Sequence, residues 1–310
     1  MRDDLTPMMK YISEIMDSSK SVNSSKVATL SNLNNEEINF LSEIWSNAEL
    51  ERRREIISQL FHLSEVDLKL DFSRIFAVAL GDVDEKIRIQ AACGLEAEDN
   101  YLLIKPLLKA LKEDTSTEVR AAVAVTLGKF ALQAELGNIP SYYQENLYNS
   151  LLDILDDDTE PVEVRRRSLE AISPFNSPGV RELIQAAYRS DDVKFKASAV
   201  YAMGRNCDSG WLPSVLAELK SNEAEIRYEA AGACGELGAE EAVPYLAQTV
   251  ADSDERVKQA AIKAIGEIGN HTAKQVLTNL AKNPEPVIRE AAEAALKEIQ
   301  FCEDPLSLQH

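Results

Sequence analysis

The feature that most restricts how this chain can fold is that it echoes itself at a fixed interval. The stretch "IRYEAAGACGELG" at 226–238 and the stretch "VKQAAIKAIGEIG" at 257–269 place apolar, small and charged residues in the same order. With Val257 as an anchor, Ile226, Phe195 and Val164 lie at successive steps of 31 residues toward the N-terminus, and Ile288 lies 31 residues on. Two further anchors stand upstream, Val119 at 45 residues before Val164 and Ile87 at 32 before Val119. Self-similarity of this period is the mark of a stacked repeat array, in which each unit buries its apolar face against its neighbours.

The columns of the repeat are chemically tight. One residue after each anchor stands a cation: Arg88, Arg120, Arg165, Lys196, Arg227, Lys258 and Arg289. Five residues before come Asp82, Asp114, Thr159, Ser190, Ser221, Asp252 and Asn283, short polar side chains able to cap a helix start. Small residues, chiefly alanine, occupy the fourth position after the anchor, and Leu, Ile, Met or Cys234 the eighth. Anchor, fourth and eighth positions share one face of a 3.6-residue helix, so they predict a buried stripe with a narrow middle that lets another helix approach. A second helical pattern fills each unit, with Pro106, Pro213 and Pro244 placed for its first turn. Gly128, Gly204, Gly235 and Gly266 recur nine residues after the anchor, which predicts close helix packing.

The pattern D-x-D-x-x-V-[RK]-x-A-A-x-x-A-[IL]-G-x-[IL]-G, clearest from Asp252 to Gly269, resembles HEAT repeats, and its short period is similar to the HEAT-like repeats of phycobilin lyases and many bacterial proteins. The resemblance covers about residues 65–300. It implies an all-α, right-handed α-solenoid of stacked antiparallel helix pairs, with first helices on the convex side and anchor-bearing helices on the concave side. It also implies that the acid five before the anchor pairs with the cation one after it. Only Asp82, Asp114 and Asp252 supply that acid, so a continuous ionic ladder is not expected.

Along the chain, residues 1–32 read as an N-terminal amphipathic helix and a Ser-rich linker, Ser18 to Ser31, and residues 33–310 as a single solenoid. Within it, 33–64 is a degenerate helix pair without the signature, explained as an end cap, and 65–303 holds the regular repeats. The surplus between Val119 and Val164 places an insertion near 131–146, with Gly137, Asn138 and Pro140 followed by Tyr142, Tyr143 and Tyr148.

Composition bounds the function. Fifty-two acids against 33 Lys plus Arg give a formal net charge of −19, which disfavours nucleic acid as a partner. No apolar run reaches the ~20 residues of a membrane helix. Cys93, Cys207, Cys234 and Cys302 form no CxxC pair, which points to a reducing cytoplasm without disulfides or zinc. His62, His271 and His310 stand far apart, and no His-Glu dipeptide of the di-iron HEAT-repeat hydroxylases occurs. No catalytic or metal constellation and no cofactor is expected.

Recognition is the stronger expectation. On the anchor helices, positions two and six after the anchor point toward the expected concave side. There Arg166, Tyr201 and Tyr228, joined by Arg167 and Arg205, make a patch of the residue types that dominate interfaces. Set in an acidic protein, this patch suits an acidic peptide or carboxylate-bearing segment; the competing reading has its arginines paired with local Glu170 and Glu229. Early residues at these positions, Ile89 and Val125, call for cover by the N-terminal segment or a partner. The leading reading is a non-enzymatic cytoplasmic scaffold that binds a protein or peptide, with neither membrane nor small molecule as partner. The alternatives are a bilin lyase or chromophore-handling protein, from the repeat resemblance alone, and a HEAT-like nucleic-acid-binding protein, supported only by Arg52–Arg54 and Arg165–Arg167.

Overall fold

A computed structural model describes residues 5–303, and every regular element among them is helical. The chain divides into two compact units, one ending at Ala171 and the other beginning at Ile172.

The first unit contains α1 (Pro7–Met16), α2 (Ser24–Ala28), α3 (Asn35–Trp45), α4 (Leu50–Val66), α5 (Ser73–Ala79), α6 (Glu85–Gly94), α7 (Ile104–Glu113), α8 (Thr117–Glu135), α9 (Ser141–Asp156) and α10 (Val162–Ile172), whose last residue falls past the division. Helices α4, α6 and α8 stack in order, α5 and α7 pair with α6 and α8, and α1 and α2 pack on α3 and α4. The second unit contains α11 (Pro178–Tyr188), α12 (Val193–Arg205), α13 (Leu212–Glu218), α14 (Ala224–Glu236), α15 (Val243–Thr249), α16 (Glu255–Ile268), α17 (His271–Leu280) and α18 (Pro286–Glu303). Here α12, α14, α16 and α18 stack in sequence, each paired with the helix that precedes it.

The buried stripe is where the columns place it. Anchors Ile87, Val119, Val164 and Val257 are wholly buried, as are all seven residues at the fourth position, Ser168 included. Phe195 and Leu296 are the two stripe positions that keep partial exposure. Burying a Leu or Ile side chain contributes about 1.5–3 kcal/mol, so the repeated stripe is the main stabilising term of each stack. The prolines sit as expected in the opening turns of α7, α13 and α15.

The polar column five before the anchor acts differently from the expectation. It does not cap the helix itself. Asp82, Asp114, Ser190, Ser221, Asp252 and Asn283 each accept a hydrogen bond from the backbone N–H two residues on, for example Asp114 Oδ1 from Ser116 at 2.9 Å. The residue so held is the N-cap at Asp84, Ser116, Asp192, Glu223 and Asp254, and all of these but Glu223 accept from N–H groups inside the helix. A short side chain closes this two-residue ring more easily than it reaches the N–H groups of the helix, which begins three residues away.

The ionic ladder is more complete than expected, because the cations find carboxylates outside the expected column. Arg88 grips Asp114 with Nε and Nη2 at 2.7 and 2.8 Å, and Arg227 grips Asp252 at 2.6 and 2.8 Å. Arg120 reaches Glu160, Lys196 reaches Glu218 at 2.8 Å, and Lys258 reaches Glu285 at 3.3 Å, each on the following repeat. Arg165 instead pairs with Asp158 of its own repeat at 3.0 Å. Arg289 donates to the Asn283 carbonyl. The hydrogen bond from Arg227 holds the Asp252 carboxyl below its usual range; at Asp114, burial pushes upward and the bonds from Arg88 and Ser116 outweigh it.

The recurring glycines mark closest approach. A Cβ on Gly204 would stand 2.7 Å from the Ala233 Cα, one on Gly235 3.0 Å from the Ala264 Cα, one on Gly128 3.3 Å from the Ala171 Cα, and one on Gly266 2.9 Å from the Ala295 Cβ. In every case the ninth position meets the seventh position of the next repeat.

The degenerate start departs from its reading in two ways. Part of the expected linker is helical, as α2, with Val27 and Leu30 fully buried and Arg52 donating to the carbonyls of Asp17 and Lys20. The pair α3–α4 also carries the signature that its sequence hides. Arg53 meets Asp82 of the next repeat at 3.3 Å, and Ile56 and Leu60 are fully buried, so Arg52 occupies the anchor position. An arginine in an apolar column conceals the register.

Candidate protein-binding surface

The five residues expected to form a concave patch fall in both units, Arg166 and Arg167 in the first and Tyr201, Arg205 and Tyr228 in the second. On α10, the two arginines and two glutamates close a local network. Arg166 Nε donates to Glu163 at 2.6 Å and its Nη1 lies 3.5 Å from Glu170; Arg167 meets the same two carboxylates at 3.2 and 2.8 Å. Arg166 is only 8% exposed. The guanidinium charges are met in place, which removes the charge argument for an acidic partner at this site.

In the second unit the geometry is more open. The Gly204–Ala233 contact sets α12 against α14 so that Tyr201, three residues before Gly204, stands level with Glu229 and Ala230. Tyr228 is therefore its neighbour along the adjoining helix. Tyr201 is 37% and Tyr228 42% exposed, and a Cβ on Gly232, one turn beyond Tyr228, would meet nothing within 4 Å. One turn past Tyr201, Arg205 lies 3.1 Å from each oxygen of Glu236. Burial draws the Arg205 guanidinium down and the Glu236 charge raises it further, so the cation persists. The result is two aromatic faces beside an open glycine, bordered by a neutralised ion pair. The expected pairing of the arginines with local acids is found at Glu170, and Glu163 and Glu236 take part as well.

Ile89 is half-buried and Val125 is 37% exposed; α1 packs on α3. The repeat cations Arg88, Arg120, Arg165, Lys196, Arg227, Lys258 and Arg289 are engaged with carboxylates or loop carbonyls, and all but Arg165 and Arg289 reach the following repeat.

Among the described residues, no three His, Cys, Asp or Glu side chains are grouped to hold a metal ion, and no helix is long and apolar enough to cross a membrane. His62 and His271 are exposed, and His310 lies outside the described residues. Cys234 is buried and burial pushes its thiol up to about 12; burial, with Glu96 nearby, also raises Cys93. Ellman's reagent is expected to label Cys207 and Cys302, both exposed, within minutes, and Cys234 only after unfolding. Rapid labelling of Cys234 in the folded protein would show that the α14 packing is wrong.

The sequence model of HEAT repeats matches residues 212–297, from α13 into α18, in which the Gly235–Ala264 and Gly266–Ala295 contacts and the Arg227 and Lys258 joints are found. Residues 212–297 carry HEAT repeats. In fold, this chain is similar to the complex of CpcE and CpcF of phycocyanin lyase from Nostoc sp. PCC7120, with a TM-score of 0.59 and 15% identity over 94% of this chain and 99% of that one. Human deoxyhypusine hydroxylase in complex with glycerol aligns at a TM-score of 0.38 and 18% identity, covering 86% of this chain and 96% of that one. No curated protein matches in sequence. The likeness to the CpcE and CpcF complex concerns fold, and the α-solenoid of helix pairs is what it supports.

Proposed function

We propose that this protein is a non-catalytic scaffold of the cytoplasm whose HEAT repeats capture a partner protein on the anchor-helix face of the second unit. The observation that carries this reading is the exposure of Tyr201 and Tyr228 on adjoining helices, beside the open surface at Gly232. Tyrosine brings a large rigid face and a polar tip, so it supplies contact area at small entropic cost. Arg205 and Glu236 supply a polar border. The partner required is a protein segment with apolar side chains to fill the space between the rings. A net acidic segment is not required, because each guanidinium here is already matched.

The test is quantitative pull-down from source-cell extract with the intact chain and with Tyr201→Ala/Tyr228→Ala. Both substitutions lie at exposed positions and leave the buried stripe intact. A specific partner is expected to fall by about tenfold or more in the double variant. Equal recovery from both proteins overturns the reading. Phycocyanin lyase shares the fold at 15% identity, and fold alone assigns no chemistry.

A further inference from the structure

The first unit carries a second surface that the tyrosine reading does not use. Every junction from an anchor helix to the next first helix lies at one end of the helices, because the pairs are antiparallel. In the first unit these junctions are 67–72, 95–103 and 136–140, following α4, α6 and α8. Each one, with its flanking turn, exposes large apolar side chains: Val66 at 67% and Leu68 at 88%, Tyr101 at 36% and Leu102 at 56%, Leu136 at 63% and Tyr142 at 72%. The corresponding junctions of the second unit are more covered, with Tyr245, in the turn after 237–242, the one exposed large apolar side chain at 41%. Trp211 is buried at 3%, Ala242 and Val243 are buried fully, and no large apolar residue of 206–211, 237–242 or 269–270 is among the exposed ones.

These side chains are gathered, not scattered. Tyr101 and Tyr143 lie 5.1 Å apart by ring centroid, and Tyr142 meets Tyr143 edge-on at 5.5 Å, joining the junction after α6 to the start of α9. The stacking of α4 on α6 sets the junctions that follow them side by side. Burial and the charge of Asp71 push the Glu98 carboxyl up, against the pull of Lys129. Lys129 reaches across from α8 to Asp99 and the Ala97 carbonyl. Three acids in residues 65–72 and three in 95–103 stand against one cation, Lys69, and Glu135 adds a further acid at the third junction. Isolated exposed apolar residues need no explanation, but a contiguous apolar strip with a polar rim marks a contact surface.

We infer that this acid-rimmed apolar edge of the first unit docks a basic amphipathic segment of a partner protein. The tyrosine faces and Leu68, Leu102 and Leu136 take its apolar side chains. Its lysines or arginines meet the carboxylates around Glu98 and the faces of Tyr101 and Tyr142. An acidic segment would meet these carboxylates with like charge, and a second copy of this acidic chain would do the same.

The inference is tested on the full chain with a short amphipathic leucine–lysine peptide as the probe and a leucine–glutamate peptide of the same pattern as its control, by calorimetry at low and moderate salt. The lysine peptide is expected to bind, more weakly as salt rises, and the glutamate peptide not to bind. The variant Leu68→Ser/Leu102→Ser/Tyr142→Ser leaves every charge in place and is expected to weaken binding by about tenfold or more; its circular dichroism should be unchanged. Tyr201→Ala/Tyr228→Ala should bind the probe as the natural chain does, which separates this surface from the one proposed above. Equal affinity of the triple-serine variant shows charge attraction alone and overturns the inference. So does binding of the glutamate peptide, or a dimer in sedimentation that the triple-serine variant abolishes.

Discussion

Asp82→Ala is expected to destabilise the first unit by about 3–5 kcal/mol, the largest single-site effect in the molecule. The Asp82 side chain is fully buried and accepts from three directions: the Trp45 indole at 2.7 Å, the Asp84 backbone N–H at 2.8 Å, and Arg53 at 3.3 Å. Arg53 is only 7% exposed, and its Nε already has no partner. Removing the carboxylate leaves a buried guanidinium uncompensated, and a buried unpaired charge costs far more than the net worth of the pair. Urea unfolding should therefore show a large fall in midpoint. Adding Arg53→Met should recover a substantial part of it, because the orphaned charge then disappears. If the double variant is no more stable than Asp82→Ala alone, the charge is not the cause, and the lost Trp45 contact carries the effect.

A paired substitution probes the second unit. Gly204→Ala forces a Cβ to 2.7 Å from backbone of the next repeat, where no side chain can swing aside. Overpacking of this kind costs about 1–3 kcal/mol, against about 1 kcal/mol gained from replacing glycine in a helix. A net loss of up to about 2 kcal/mol is expected. Gly232→Ala, in the middle of α14 with nothing within 4 Å, meets no such obstacle and should gain up to about 1 kcal/mol. The same chemical change at two helical glycines of adjoining repeats thus moves stability in opposite directions. Thermal midpoints of the two variants that shift the same way would refute the close-packing account of the glycine column.

How much of this could be read from the sequence depends on whether a residue obeys its column. Ile87, Val119, Ala91 and their counterparts gave the stripe and the pairing of helices directly, because apolar spacing at 3.6 residues has few other solutions. The α3–α4 pair was read as a helix pair, but its repeat signature was missed because Arg52 holds an anchor place and is satisfied by carbonyls of residues 17 and 20, over thirty positions away. No local pattern reveals such a partner. The ladder was underestimated for a related reason. Long flexible side chains such as Glu160 and Glu285 reach the same cation from displaced positions, so a strict spacing rule overlooks them. For the candidate surface, the sequence identified Tyr201 and Tyr228 as outward-facing. It overvalued Arg166 and Arg167, since their burial against Glu163 and Glu170 is a matter of side-chain direction that spacing does not fix. The apolar edge of the first unit was visible only in the tyrosines of the insertion. Its remaining members come from separate junctions that only the stacking brings together.

The joints of the second unit have a practical corollary. Arg227 clasping Asp252, and Gly204, Gly235 and Gly266 each seating an alanine of the following repeat, are nearly the same mechanical coupling used again and again. A chain built on interchangeable couplings can be lengthened as a train is: a duplicate cassette of residues 252–282, spliced in directly after residue 282, would present its neighbours with the surfaces they already grip, and the reach of the scaffold becomes adjustable without redesigning its core.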